Sequence, residues 1–324
     1  MHPRPRILFS RCLGFDRCRY DGSMVDDRFA ARLAAMCDVT TACPEMESGL
    51  GVPRDPVRLV MRNGRVAMVQ PATGRDHTGT MTAWCAAAAA RFSVGPDSVD
   101  GALLKSRSPS CGIKDVKIYR TEAAGAAFDH GAGLFGSALS QALAGAPVED
   151  EGRLRNHVIR DHFLSALYSW ARFRAAVGEG RPGAIVDYHS RHKLLFLAVN
   201  QASMRRLGRI VAGIGKQALD QTVSAYKEEL GRMFSAPART GGIMNTAMHA
   251  FGGFSERLSA AERKFFVDSM EEYRDERIPA SAILSLLKGW AVRFEVDYLL
   301  GQVFLEPYPR ELVDIADSGK GRDY

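Results

Sequence analysis

Cysteines stand at positions 12, 18, 37, 43, 85 and 111 of a 324-residue chain. Three of them follow short apolar runs and precede turn-forming residues. They are Cys12 in Ser10-Arg-Cys-Leu-Gly14, Cys43 in Cys43-Pro44-Glu45, and Cys111 in Ser108-Pro-Ser-Cys-Gly112. Thiolate-only ligation favours zinc or an iron–sulfur cluster. A structural zinc site usually draws four ligands, often as two Cys-x-x-Cys knuckles, and that spacing is absent from the chain. Three thiolates would leave one iron of a [4Fe-4S] cluster open to a substrate atom. Buried unpaired cysteines, which are common in cores, remain the plain alternative. Cys37 on a helix face and Cys85 inside an alanine tract read as core residues. Cys18 reads as a spare thiol beside the site.

The elements that must position these residues alternate through the first half. Arg6–Ser10 is a short apolar strand, 27–37 has helical spacing, and Asp38–Ala42 is a second strand. Two runs, 57–61 and 65–69, flank Asn63-Gly64, a strong hairpin signal. A helix over about 78–92 precedes a third buried strand at 100–105. The pattern predicts an α/β, Rossmann-like open sheet, mostly parallel with an antiparallel excursion. In such a sheet ligands bind beyond the carboxyl ends of the strands, so Cys12, Cys43 and Cys111 should converge there. Lys105 and Arg107 on the third loop read either as phosphate or ring-oxygen contacts or as surface charge.

After about residue 154 the periodicity turns helical, over 154–177, 187–207, 209–232, 259–276 and 280–303. Breaks fall at 178–183, at Pro237 and at the glycine pairs 241–242 and 252–253. The second half is therefore expected to be an all-α domain, with 146–152 as the linker. That gives domains at 1–148 and 152–324. Composition suits a globular protein, with 46% hydrophobic and 25% charged residues, which excludes a largely disordered chain. No apolar run approaches the 18 or so residues of a membrane span, and the opening residues are too short for a signal-peptide core. The expected location is the cytoplasm, with no membrane partner.

Charge is unevenly spread. Residues 153–216 hold 12 basic and three acidic residues, against a formal net charge of +6 for the whole chain. Such a stretch reads as a polyanion-facing surface or as a solvated helix face. Within it, His189 and His192 share a helix face. They could ligate a metal, but a polar cluster or phosphate contact is the better reading because no cysteine or carboxylate accompanies them. Trp290, Phe294 and Tyr298 read as a core stripe rather than a base-stacking platform.

The motifs Ser10-x-Cys12-Leu-Gly…Arg19-Tyr-Asp-Gly22, Cys43-Pro-Glu…Gly49-Leu…Pro53-Arg and Leu104-Lys-Ser-Arg-Ser-Pro-Ser-Cys-Gly112 together resemble the bacterial thiouracil desulfidases over roughly residues 5–145. The second half resembles the helical YbgA-like domain, through His189-x-x-His-Lys-Leu-Leu, Asn245-Thr-Ala-Met-His, Leu287-Lys-Gly-Trp and Gln302-Val-Phe-Leu-Glu-Pro-Tyr-Pro-Arg-Glu-Leu. The resemblance implies a [4Fe-4S] cluster held by Cys12, Cys43 and Cys111, with the fourth iron open for substrate sulfur. It also implies Glu45 as catalytic carboxylate and Ser108 as catalytic hydroxyl. The fused pair of domains implies removal of sulfur from 4-thiouridine in transfer RNA, with release of hydrosulfide and no net redox change. A polymeric RNA partner would give the basic stretch a purpose, with Arg153, Arg155, Arg191, Lys193, Arg205, Arg206, Arg209 and Lys216 as phosphate contacts. Two alternatives stand beside this reading: a desulfidase of free thiouracil or another thiolated base, and an iron–sulfur redox-sensing RNA-binding protein.

Overall fold

The computed structural model describes residues 2–123, 125–143 and 145–314. The chain divides into two compact units, one of residues 4–163 and one of residues 164–314 together with residues 2 and 3. The first is α/β and the second all-α, the architecture expected.

The first unit runs β1 (Arg6–Ser10), α1 (Arg28–Ala35), β2 (Asp38–Ala42), α2 (Pro44–Glu47), β3 (Arg58–Arg62), β4 (Arg65–Gln70), β5 (Arg75–Asp76), α3 (Thr78–Ser93), β6 (Gly101–Leu104), β7 (Val116–Tyr119), β8 (Phe128–Gly131), α4 (Leu134–Ala142) and β9 (Val148–Asp150). Ile7, Leu8 and Phe9 of β1 and Ala102, Leu103 and Leu104 of β6 are wholly buried. Burial on both faces is what continuous apolar runs require, and a parallel sheet provides it. The strands form a four-stranded parallel sheet in the order β2-β1-β6-β9.

Two features depart from the sequence reading. The Asn63-Gly64 hairpin forms, with both residues at positive φ (50° and 73°) as a type I′ turn requires. It is not an excursion of the parallel sheet, however, but part of a separate five-stranded sheet, β5-β4-β3-β7-β8. The segment read as a linker, 146–152, instead supplies β9, whose residues pair in register with Ala102–Leu104. The division between units falls later, within α5 (His157–Gly178).

The helical unit continues with α6 (Pro182–Val199), α7 (Gln201–Ala212), α8 (Leu219–Met233), α9 (Thr240–Gly252), α10 (Ala260–Arg274), α11 (Ala280–Arg293) and α12 (Asp297–Leu300). Asn200 separates α6 from α7 and caps α7, its side chain accepting from the Ser203 N–H, so the single helix expected over 187–207 is two. The glycine pair at 241–242 does not break a helix; it starts one. A Cβ on Gly242 would lie 2.3 Å from the Ala198 carbonyl oxygen, so glycine there lets α9 press its first turn against α6. Trp290 belongs to an aromatic core with Phe251, Phe254 and Phe266. Tyr298 lies outside it, 54% exposed, because α11 ends at Arg293 and the i+8 spacing no longer applies.

Candidate active site

The parallel register brings three loops to one edge of the first sheet. Ser10 pairs with Ala42, and β6 runs alongside β1, so the chain leaves β1, β2 and β6 on the same side. Cys12 follows β1 in a turn closed by the Leu13 N–H donating to the Ser10 carbonyl (2.9 Å). Cys43 directly precedes α2, and its N–H donates to Glu47 Oε1 at 2.9 Å. Arg11 reaches the same carboxylate oxygen at 2.7 Å, tying the Cys12 loop to the Cys43 loop.

Cys111 sits in a stiffer arm. Ser108 Oγ accepts the N–H groups of Ser110 (3.2 Å) and Cys111 (3.1 Å). At the start of α4 the amides of Gly133, Leu134, Phe135 and Gly136 donate to the carbonyls of Gly112, Pro109, Ser110 and Ser110, at 2.7–3.1 Å. This approach depends on missing side chains, since a Cβ on Gly136 would stand 2.4 Å from the Gly112 carbonyl oxygen.

All six cysteines are free and buried. Cys12, Cys18 and Cys43 pack against one another under Met46 and Val52. Hydrogen bonding to Cys12, with burial, pushes the Cys18 thiol up to about 11. Cys43 is also raised, by its hydrogen bond to Cys18 and then by burial. Burial raises Cys111, which sits near Cys43 and Glu45, while the hydroxyls of Ser10 and Ser108 act the other way. A cation would be needed to make such thiols ligate as thiolates. Cys37 and Cys85 lie elsewhere in the core, each held up to about 12 mainly by burial.

Glu45 is clamped. Arg54 donates to its Oε2 through Nε (2.9 Å) and a terminal nitrogen (2.5 Å), and the Ser110 hydroxyl donates to Oε1 at 2.7 Å. The Arg54 and Glu45 side chains are 5% and 13% exposed. Arg54 also donates to the carbonyls of Cys18 and Gly51. Neither Arg54 nor Ser110 stood out in the sequence as a site residue. Both lie inside the quoted motifs, Pro53-Arg and Ser-Pro-Ser-Cys, but their partners are 9 and 65 residues distant in the chain. No periodicity reports such pairs.

Other sequence candidates scatter. Lys105 is not free surface charge: its Nζ pairs with buried Glu151 at 2.5 Å and with Ser106 Oγ at 2.9 Å. Arg107 is exposed in a left-handed conformation (φ 57°). His189 bonds the Tyr226 hydroxyl through Nδ1 at 3.0 Å, and wholly buried His192 bonds the Tyr188 carbonyl at 2.7 Å. They belong to an aromatic cluster with Tyr188, Phe196 and Tyr226. Of the eight basic candidates, Arg153 pairs with Glu149 and Arg206 with Glu229. Arg191 leans on the Gly301 carbonyl. Arg155, Lys193, Arg205, Arg209 and Lys216 are exposed.

Among the described residues no group of three or more His, Cys, Asp or Glu side chains is arranged around a single ion. None of the described helices is long and apolar enough to cross a membrane. A parallel α/β unit that presents free buried thiols, a clamped carboxylate and a hydroxyl at its strand ends has the layout of an enzyme handling sulfur or a thiophilic metal. Comparison with known proteins agrees. Residues 7–151 match the 2-thiouracil desulfurase family model and residues 193–309 match DUF1722, a protein family of unknown function. The uncharacterised protein YbgA of Escherichia coli K12 is 34% identical over 138 residues, 42% of this chain and 81% of that protein. The uncharacterised protein YbbK of Bacillus subtilis 168 is 31% identical over 112 residues, 33% of this chain and 72% of that protein. Among solved structures, the [4Fe-4S]-dependent thiouracil desulfidase TudS aligns with 29% identity and a TM-score of 0.38, covering 47% of this chain and 93% of that one. The chain belongs to the 2-thiouracil desulfurase family, whose unit forms its first half, with a DUF1722 domain following. It is an enzyme acting on carbon–sulfur bonds.

Proposed function

We propose that the chain is a transfer RNA desulfidase that converts 4-thiouridine to uridine with a [4Fe-4S] cluster on Cys12, Cys43 and Cys111. The observation that carries this reading is the convergence of three free cysteine loops on one sheet edge, beside a carboxylate held by Arg54 and Ser110. The donor set fits such a group. A single ion needs its sulfur ligands within about 2.3 Å of one point, whereas a cubane spreads them over three irons. When bound, the cluster would supply a Lewis-acidic iron with an open position for the thiocarbonyl sulfur.

The chain's own residues supply the rest. Glu45 is the general base that takes a proton from the attacking water. Arg54 and Ser110 hold it against movement, and Glu45 Oε1 accepts only the Ser110 hydroxyl among the bonds described above. Ser108 acts as a donor and not as a base, because its oxygen already accepts two backbone N–H groups. Its proton is available to a ring nitrogen or to the departing sulfur. The balance is hydrolytic: the C=S carbon gains the water oxygen, sulfur leaves as hydrosulfide with one proton released, and no electrons are exchanged.

The polymeric substrate is supported by the exposed cations Arg155, Lys193, Arg205, Arg209 and Lys216. A second reading, a desulfidase of free thiouracil, is favoured by the ion pairs that occupy Arg153 and Arg206 and so thin the basic stretch. The redox-sensor reading is disfavoured by the Glu45 clamp, which a sensor does not need. The test is nucleoside mass spectrometry after incubating the anaerobically reconstituted protein with thiolated transfer RNA or with free 4-thiouracil. Loss of 4-thiouridine from the RNA at a rate exceeding that on the free base is expected. Turnover of the free base alone refutes the RNA assignment.

A further inference from the structure

The second sheet of the first unit has two unlike faces. Leu59, Met68 and Val116 lie on one side and are buried. Strand register puts Arg58 of β3, Arg65 of β4, Lys117 and Tyr119 of β7, and Phe128 and His130 of β8 on the other. There the rings form a row: Tyr119 meets Phe128 edge-on at 5.7 Å between centres, and Phe128 meets His130 at 5.5 Å. Tyr119 rests on a small buried floor of Val60, Ala67 and Val69, which holds the row in place. Phe128 is 38% exposed, and Arg65, Lys117 and His130 are exposed. Cations accompany the rings, with Lys117 Nζ 4.2 Å from the centre of Phe128 and the Arg58 guanidinium 5.1 Å from that of Tyr119. Asp76 and Glu122 are both held by Arg62, and no carboxylate pairs with Arg58, Arg65 or Lys117 among the described residues.

We propose that this face is an RNA-docking surface, on which unpaired bases of the substrate stack against Tyr119, Phe128 and His130 while Arg58, Arg65 and Lys117 meet the phosphates. The inference rests on the transfer RNA reading given above. Sheet faces that carry such rings stack two or three bases of a single strand, and the flanking cations track its backbone. A cation over an exposed ring is a weak contact, readily exchanged for a base on the ring and a phosphate on the cation. An apolar protein partner fits less well, because it would bury three cations without a counter-charge. The face also lies close to the site. β3 begins four residues after Arg54 and β7 five residues after Cys111, links that span at most about 14 and 18 Å when fully extended. A base held here is an unpaired neighbour of the thiolated nucleotide, not that nucleotide itself.

The test uses the full chain as wild type, Phe128→Leu, Phe128→Trp and Lys117→Gln. Binding of thiolated transfer RNA, a labelled oligouridylate and an RNA duplex is measured by fluorescence anisotropy over a range of salt. Leucine keeps the apolar bulk of Phe128 and removes the aromatic face. Phe128→Leu should therefore weaken oligouridylate binding about five-fold or more with its salt dependence unchanged, since a stack releases no counterions. Phe128→Trp should bind as wild type or tighter. Lys117→Gln should flatten the logarithmic salt slope by about 0.7, the contribution of one phosphate on a single strand. The duplex, whose bases stack on one another, should not distinguish Phe128→Leu from wild type. Phe128→Leu and Lys117→Gln variants that both match wild type overturn the proposal. So does a Phe128→Trp that loses as much as Phe128→Leu, or a Phe128→Leu loss equal on duplex and single strand. Wild-type protein that binds neither transfer RNA nor oligouridylate sinks the transfer RNA reading itself, an outcome distinct from the others.

Discussion

Replacing Arg54 with Met removes a guanidinium that makes two contacts to Glu45 and reaches the carbonyls of Cys18 and Gly51. Both members of the ion pair are almost wholly buried, so solvent offers the stranded carboxylate little compensation. Breaking a buried pair from one side costs about 3–5 kcal/mol, and Glu45 keeps only the Ser110 hydroxyl among the partners described above. For a unit of this size each kcal/mol shifts the melting temperature by about 2–4 °C, giving a loss on the order of 10 °C. Arg54→Lys should recover a fraction, because an ammonium can meet Glu45 but cannot reproduce the guanidinium fork that also serves two carbonyls. The assay is a double-mutant cycle with Glu45→Gln in urea. Stability is read from hydrogen exchange of first-unit amides, so that unfolding of the helical unit does not enter. Gln in place of the stranded carboxylate should rescue the Met variant, with a coupling energy of at least about 2 kcal/mol. A cost below about 1 kcal/mol with no coupling would show that the clamp is incidental and would remove the argument that Glu45 is held for catalysis.

Alanine at Cys12, Cys43 or Cys111 should each abolish iron uptake, while Cys37→Ala and Cys85→Ala should retain it; iron analysis after anaerobic reconstitution decides. Asp150, 3% exposed in β9, is held up at about 6 by burial and then by its acidic neighbours. A carboxyl raised on folding contributes stability below its unfolded value of about 3.8 and loses it as pH rises through about 6, so at pH 7 it is a burden. Asp150→Asn keeps an oxygen for the Arg153 N–H, a bond of 2.8 Å. It should stabilise the protein by up to about 3 kcal/mol at pH 7 and by almost nothing at pH 4, read as urea midpoints against pH. Charge reversal of Arg155, Lys193, Arg205 and Arg209 should flatten the salt dependence of transfer RNA binding, whereas an unchanged slope would place the phosphate contacts elsewhere.

How far these features could be read from the sequence depended on whether neighbours in the chain were also neighbours in space. β1 falls where its apolar run places it, because a buried parallel strand declares itself by composition alone. Asn63-Gly64 announces its turn but not the sheet that receives it, since strand pairing across distant segments has no local signature. Helix α9 was hidden by the glycines at each end, which mark turns in most contexts; here Gly242 permits close packing against α6. At the site, the residue types and loop positions of Cys12, Cys43 and Cys111 were legible from motif and topology. The Arg54 clamp and the Lys105–Glu151 pair were not, because a charge in sequence carries no record of what neutralises it.

That neutralisation bears on how an RNA could be met. Arg11, Arg54, Lys105 and Arg153 each already hold a carboxylate, Glu47, Glu45, Glu151 and Glu149 in turn. The first amides of α4, which in another setting would invite an anion, are spent on the carbonyls of the Cys111 loop. Recruiting one of these side chains to a phosphate would strand its carboxylate, and drawing the α4 amides away would loosen the Cys111 loop. In the first unit the demand falls on exposed side chains such as Arg107 and Arg155. Arg107 lies one residue before Ser108 with a backbone held at φ 57°, a conformation that costs on the order of 1–3 kcal/mol and persists only where its surroundings impose it. The loop that carries Ser108 and Cys111 thus also presents a cation to solvent. A phosphate held there would sit on the segment that carries Ser108 and Cys111.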